Sequence, residues 1–246
     1  MGAVALTLVR HGESTANIAA TAAETARVEV IDAPLRDADV PLSQVGAAQA
    51  LAVGEWLRGL SDDQFPTAVW CSPYLRAADT ARLICEGQRT PLPIRVDERL
   101  RDRELGILDT LTTVGVEARL PIEAARRRRL GKFYYRPPGG ESWADVALRL
   151  RSVLADIDRE NVDGRVLLVT HDAVITLTRY VCENLSEAQV LELARSTPLL
   201  NASVSRVIRP SGAGPWQLDY YNRVEHIQES ATPVTVHTGD RDVFPR

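Results

Sequence analysis

Apolar residues recur along this chain with two periods. Runs of consecutive apolar and β-branched side chains at about 4–9 (VALTLV), 67–71 (TAVWC), 94–97 (IRVD), 165–170 (RVLLVT), 202–208 (ASVSRVI) and 216–221 (WQLDYY) predict strands. Between them the spacing becomes helical. In LSQVGAAQALAVGEWL (42–57) Ser43 is placed to cap a helix whose Val45, Ala48, Leu51, Ala52, Trp56 and Leu57 share a face. SPYLRAADTARLIC (72–85) repeats the pattern, with Pro73 near the first turn, where a missing N–H costs nothing. In GESWADVALRLRSVLADI (140–157), Ser142 and Asp145 approximate a capping box ahead of Val146, Leu150, Val153, Leu154 and Ile157. Further helices are expected over 172–183 and 186–195.

This alternation predicts an α/β fold, a three-layer α/β/α sandwich whose central sheet is mostly parallel and covered on both faces. Two stretches depart from it. Residues 101–140, with RRRR at 126–129 and FYYRPPGG at 133–140, read as a helical and looping excursion. The segment 223–246 lacks periodicity and reads as an irregular tail, so 1–222 is expected to form a single domain.

The composition, 45% hydrophobic and 25% charged, is that of an ordinary globular chain. A net charge of −4 argues against nucleic-acid binding, which asks for a clearly basic face. MGAVALTLVR is too short to span a bilayer and lacks a signal-peptide pattern, so no membrane partner and a cytoplasmic location are expected. Cys71, Cys85 and Cys182 show no C-x-x-C pairing, which leaves neither a disulfide framework nor a zinc site; buried small residues are the expectation. A homodimer is left open.

Two of the expected strands stop on chemistry: TLVRH and LLVTH each end in a histidine, at the carboxyl edge where ligands of open α/β sheets bind. Arg10, His11, Arg76 and His171 come from three distant parts of the chain, and this topology can gather them above the sheet. Two guanidinium groups and two imidazoles around one point suit a tetrahedral anion, because guanidinium forks give paired, charge-assisted hydrogen bonds to phosphate oxygens. A helix opening after RHG would add N–H groups and a positive dipole end, with Ser14 and Asn17 as further donors and Gly12 allowing close backbone approach.

The succession LVRHGES with Asn17, DVPLSQVGAAQA (39–50), CSPYLRAADTA (71–81), GGES (139–142) and VTHDAVI (169–175) resembles the histidine phosphatase superfamily, in its phosphoglycerate-mutase-like branch, over roughly residues 4–208. GKFYYRPPGGESWADV is similar to phosphoglycerate-mutase-like proteins of plants, fungi and actinobacteria. The resemblance implies a metal-independent phosphohistidine mechanism without cofactor. His11 would be the nucleophile, its other ring nitrogen held by a backbone carbonyl, while Arg10, Arg76 and His171 hold the phosphoryl oxygens. The family's acid motif, L-x-E-x-x-x-G, laid over LRDRELG (100–106), puts Asp102 at the acid position and Glu104 two residues later. Asp102 departs from the usual Glu. Asp172 is a third candidate, since THD echoes the acid phosphatase branch of the family.

The expected function is hydrolysis of a small phosphate ester. A cofactor-dependent phosphoglycerate mutase is the alternative, because RRRR with Lys132 could imitate the mutases' basic residues, although LRDRELGILD lacks their E-R-x-Y-G form. An inactive binding or scaffold module is the other. One of the four arginines, with Lys132 or Arg136, could reach over the pocket to bind an acidic substrate, with Tyr134 and Tyr135 in its wall; a solvated helix face and plain loop packing are the blander readings. His226 and His237 have no assigned role.

Overall fold

The computed structural model describes residues 1–237. All six expected strands form: β1 (Ala5–Arg10), β2 (Ala68–Cys71), β3 (Ile94–Val96), β4 (Arg165–Thr170), β5 (Val204–Ile208) and β6 (Gln217–Arg223). They make one sheet in the order β3-β2-β4-β1-β5-β6, in which the first four are parallel, β5 runs antiparallel to β1 and β6 antiparallel to β5.

Period-2 alternation sends side chains to opposite faces, and each face is covered by helices. On one side Leu6, Leu8, Trp70, Val166 and Leu168 pack under α6 (Trp143–Glu160), α7 (Asp172–Cys182) and α8 (Glu187–Ser196). On the other, Val9, Val69, Cys71, Leu167, Val169 and Val204 pack against α2 (Gln44–Arg58) and α3 (Leu75–Cys85). The fold is the expected three-layer sandwich. Ser43 caps α2 and the Ser142–Asp145 box closes α6. Pro73 lies ahead of α3 instead of within its first turn, because the Ser72 hydroxyl accepts the Tyr74 N–H and delays the helix.

Residues 101–140 do leave the sheet. They contain α4 (Thr113–Arg119) and α5 (Pro121–Tyr134), which gather Leu108, Val116, Ala124 and Tyr135 into a small core of their own. The segment from 223 is more ordered than its sequence suggested. It carries α9 (Glu225–Glu229), which buries Ile227 against the α2 side of the core. His226 is buried too, with Nε2 3.0 Å from the Ala202 carbonyl and its ring beside Trp56. A five-residue helix with one apolar anchor leaves too little periodicity to be read. Residues 233–237 then lie back over the body: Gln49 Nε2 donates to Pro233 O and Thr235 Oγ1, and Thr235 Oγ1 donates to Asn201 Oδ1. The rest of the expected tail, 238–246, falls outside the described residues.

Candidate active site

Strand register builds the centre of the site. Arg10 on β1 pairs with Thr170 on β4, so the next residues, His11 and His171, leave the sheet side by side. The His11 N–H continues the ladder to Thr170 O at 2.9 Å. The two rings meet edge to face with centroids 5.1 Å apart, and both are buried.

His11 Nδ1 lies 2.7 Å from the Gly12 carbonyl, which accepts its proton and leaves the Nε2 lone pair facing Arg76 Nε at 3.3 Å. Burial, and then the neighbouring Arg76, His171 and Arg10, hold the His11 pKa well below its ordinary value. The imidazole is therefore neutral and nucleophilic at neutral pH. His171 is held low by burial first, then by Arg76, Arg149 and Arg10. Its Nε2 meets Ser72 Oγ at 2.8 Å, while Nδ1 is buried without a hydrogen bond. With Ser72 donating to Nε2, Nδ1 carries the proton and faces Asp102 Oδ2 at 3.3 Å.

Arg76 comes from the first turn of α3 and is buried. Arg10 anchors itself through Nη1 on Leu199 O, and its buried Nε has no hydrogen-bond partner among the described residues. Burial lowers the Arg10 pKa, with Asp172 and Asp102 opposing it.

Of the three acid candidates, Asp102 is the one brought to the reacting groups: its Oδ2 is 3.1 Å from Arg76 Nη2 and 3.3 Å from His171 Nδ1. Glu104 turns aside to accept from the Tyr74 hydroxyl at 2.7 Å. Asp172 opens α7, where Thr176 Oγ1 contacts it at 3.4 Å; burial pushes its carboxyl up against the pull of Arg10. The loop carrying Asp102 is braced by residues the sequence reading left out. Arg149 donates to Asp102 O, Arg99 O and Glu141, and Glu141 also accepts from Arg101 and the Glu104 N–H. Glu141 is the acidic member of GGES, so that motif contained the only signal.

Other expected donors are used differently. Ser14 and Asn17 form the capping box of α1 (Thr15–Ala26), and Thr15 N donates to Pro41 O, so these N–H groups are already taken. The helix starts at the site without a side-chain cap are those of α3, at Tyr74, and α7, at His171. Asn17 Oδ1 also accepts from Asn201, which leaves its amide N–H groups as the donors open to a ligand. Gly12 gives its N–H to Thr80 Oγ1, and a Cβ there would lie 2.3 Å from Gly46 O. Its glycine is needed for that helix contact, not for an anion.

Arg136 does not reach over the site: its guanidinium grips Asp145 at the start of α6. Tyr134 is exposed and rests edge-on against Phe133, while Tyr135 is buried with its hydroxyl on Glu123. Lys132 lies over the Trp143 ring, and Arg126 and Arg128 pair with Glu123 and Glu117 on the surface. Asp37, Ser72, Tyr74, Thr80 and Asn201 belong to the site and were not singled out; Ser72, Tyr74 and Thr80 lie inside CSPYLRAADTA, while Asp37 had no signal. A cavity of about 690 Å³ runs from Asn17 along α1, past Thr21 and Thr25, to Val236 and His237. Burial, then Arg10, lowers the His237 pKa to about 4. Among the described residues no helix is long and apolar enough to cross a membrane, and no cluster of His, Cys, Asp and Glu could hold a metal.

Comparison with known proteins places this geometry. The profile of the histidine phosphatase superfamily (branch 1) matches residues 6–223. Glucosyl-3-phosphoglycerate phosphatase of Mycobacterium tuberculosis is 32% identical over 183 residues, which are 71% of this chain and 73% of that one. The metal-independent phosphoserine phosphatase of Arabidopsis thaliana is 30% identical over 223 residues, covering 90% and 82%. A solved structure of the mycobacterial glucosyl-3-phosphoglycerate phosphatase in complex with VO3 aligns with TM-score 0.69 and 29% identity, over 89% of this chain and 99% of that one. The chain spans 60% of the phosphoglycerate mutase-like protein AT74H of Arabidopsis thaliana, at 33% identity over 67% of its own length.

Proposed function

We infer that this chain, which belongs to the histidine phosphatase superfamily, is a phosphomonoester hydrolase working through a phosphohistidine on His11. The observation that carries the reading is the His11 ring: buried, neutral, tied through Nδ1 to Gly12 O, with Nε2 beside Arg76 and next to His171. In the first step Nε2 forms a bond to phosphorus as the ester P–O bond breaks, and Asp102 gives its proton to the leaving alcohol. Arg10, Arg76 and His171 hold the phosphoryl oxygens, and the positive charge of the two arginines with the N–H groups of all three supplies the stabilisation a metal ion gives elsewhere. Water then attacks phosphorus as the P–N bond to His11 breaks, Asp102 takes the water's proton, and inorganic phosphate leaves with His11 restored.

The relatives that carry phosphatase names support hydrolysis over transfer, as do Arg126 and Arg128, which pair on the surface with glutamates. The cavity along α1, mostly apolar in its walls, offers room for the leaving alcohol. The ligand class required is a small phosphate ester. A cytoplasmic location belongs to the same proposal and is supported by the free thiols of Cys71, Cys85 and Cys182; cell fractionation tests it.

The test is phosphate release from a panel of phosphomonoesters by wild type and His11→Ala, with mass spectrometry for phosphate on His11. Hydrolysis lost in His11→Ala, with His11 modified in wild type, is the expected result. Interconversion of 3- and 2-phosphoglycerate with little phosphate released would make the chain a mutase. No turnover and no modified His11 would make it a binding module.

A further inference from the structure

Arg76 is the guanidinium nearest the nucleophile, and each of its five N–H donors is committed. Nε donates to His11 Nε2; Nη1 donates to Asp37 O at 2.6 Å and Asp37 Oδ1 at 2.9 Å; Nη2 donates to Asp37 Oδ2 and Asp102 Oδ2, both at 3.1 Å. Three of the five go to Asp37. A carboxylate gripping both Nη atoms offers a guanidinium the paired oxygens that a phosphate offers, in the same planar geometry.

We propose that Asp37 is a built-in competitor for the phosphoryl position: it occupies the fork of Arg76 and must release it for a phosphoryl group to bind. The proposal rests on the reading of Arg76 as a phosphoryl ligand. It makes Asp37 a specificity-determining residue, because a ligand must bring enough binding energy to displace it. Inorganic phosphate, which has only its own oxygens to offer, is disfavoured; an ester whose alcohol also fills the neighbouring cavity is not.

The surroundings of Asp37 suit a group that leaves. Its side chain keeps 42% of its surface in solvent, against 5% for Arg76, so the carboxylate can move outward to water while the guanidinium stays. Asp37 opens a one-turn 3-10 segment, Asp37–Asp39, in the connection between α1 and α2. That connection is fastened at one end by Ile31 N to Thr110 O and at the other by Thr15 N to Pro41 O. Between these ties the backbone bonds stay within the connection itself, as from Asp39 N to Arg36 O, and Leu35 is half exposed. The grip on Arg76 is the contact that draws its middle onto the site. Arg10 shows the contrast, since among the described residues its buried Nε has no hydrogen-bond partner.

A residue that competes and a residue that props give opposite signs on removal. With inorganic phosphate as the probe, calorimetry on Asp37→Asn at neutral pH should show binding tightened on the order of tenfold, the equivalent of one charge-assisted hydrogen bond no longer opposed. The KM for the ester should fall, and product inhibition by phosphate should grow. Asp37→Ala, lacking both acceptors, carries the same expectation should the amide variant fail to fold. Asp39→Asn, which removes only the surface pair with Arg36, is the control and should bind phosphate like wild type. Phosphate bound equally or more weakly by Asp37→Asn overturns the proposal and makes Asp37 a strut for Arg76, as does loss of the fold in both variants. Phosphate bound by neither wild type nor variant overturns instead the reading of the pocket.

Discussion

Acidification should loosen this fold well before its carboxylates protonate. His11 and His171 are buried among Arg10 and Arg76, and both pKa values lie well below 6.5. In the unfolded chain each titrates near the ordinary histidine value of about 6.5, so between about pH 7.5 and 5 the unfolded state binds protons that the folded state refuses. Stability from these groups is fully present above pH 6.5 and is lost as pH falls through 6.5 towards the folded values. At pH 5.5 a histidine that stays neutral in the fold costs about 1.4 kcal/mol, and the pair about 2.8 kcal/mol. That is a large part of an ordinary stability of about 5–15 kcal/mol. Asp172, whose carboxyl is raised, works the other way, and His226, which is lowered, works in the same direction. The assay is urea unfolding at pH 7.5 and 5.5, with the slope checked for constancy. His171→Asn isolates one contribution: it should lose about 1.4 kcal/mol less than wild type over that interval. A wild-type midpoint equal or higher at pH 5.5, or a variant with an undiminished loss, refutes the assignment of neutral, buried imidazoles.

Three further substitutions separate roles that the structure distinguishes. Asp102→Asn should slow hydrolysis of an alkyl phosphate by about a hundredfold or more while sparing an activated aryl ester, whose leaving group needs no proton; equal slowing on both removes Asp102 as the acid. Arg136→Ala should leave KM unchanged across charged and neutral esters, because the guanidinium holds Asp145 instead of substrate; a KM shift confined to charged esters would restore Arg136 to the pocket. Leu150→Ala, at a fully buried point of α6 against the sheet, should cost about 2–5 kcal/mol in chemical denaturation, and a loss under about 1 kcal/mol would contradict its place in the core.

What was readable in the chain follows from how local each signal is. The central strands β1, β2 and β4 were legible to within a few residues because each is a short apolar run buried on both faces, and the capped helices because Ser43 and Ser142 bond to neighbours three positions away. The nucleophile, Arg10, Arg76 and His171 were legible because their motifs place them at strand ends or a helix start. Asp37 was not: its partner lies on another element, and nothing in LRDADV marks it. Nor was the use of Gly12, since its close neighbour Gly46 comes from α2. The brace of Glu141 and Arg149 behind Asp102 was hidden for the same reason.

The two strand ends also explain why the chemistry tolerates so irregular a surround. His11 and His171 owe their spacing to the β1–β4 register, and slipping that register by one residue would turn both strands' core side chains to the wrong face. The nucleophile and its neighbouring imidazole are thus fixed by the same burial that holds the sheet together. Everything that would recognise the alcohol comes from outside the sheet: α1, the residues around 233–237, the connection carrying Asp37 and the 101–140 excursion. These parts can change sequence and shape without moving the reacting atoms, so the choice of ester can vary while the phosphohistidine step stays put. On that division Asp37 belongs with the parts that choose, although its carboxylate grips Arg76, which the proposed mechanism places on the phosphoryl group.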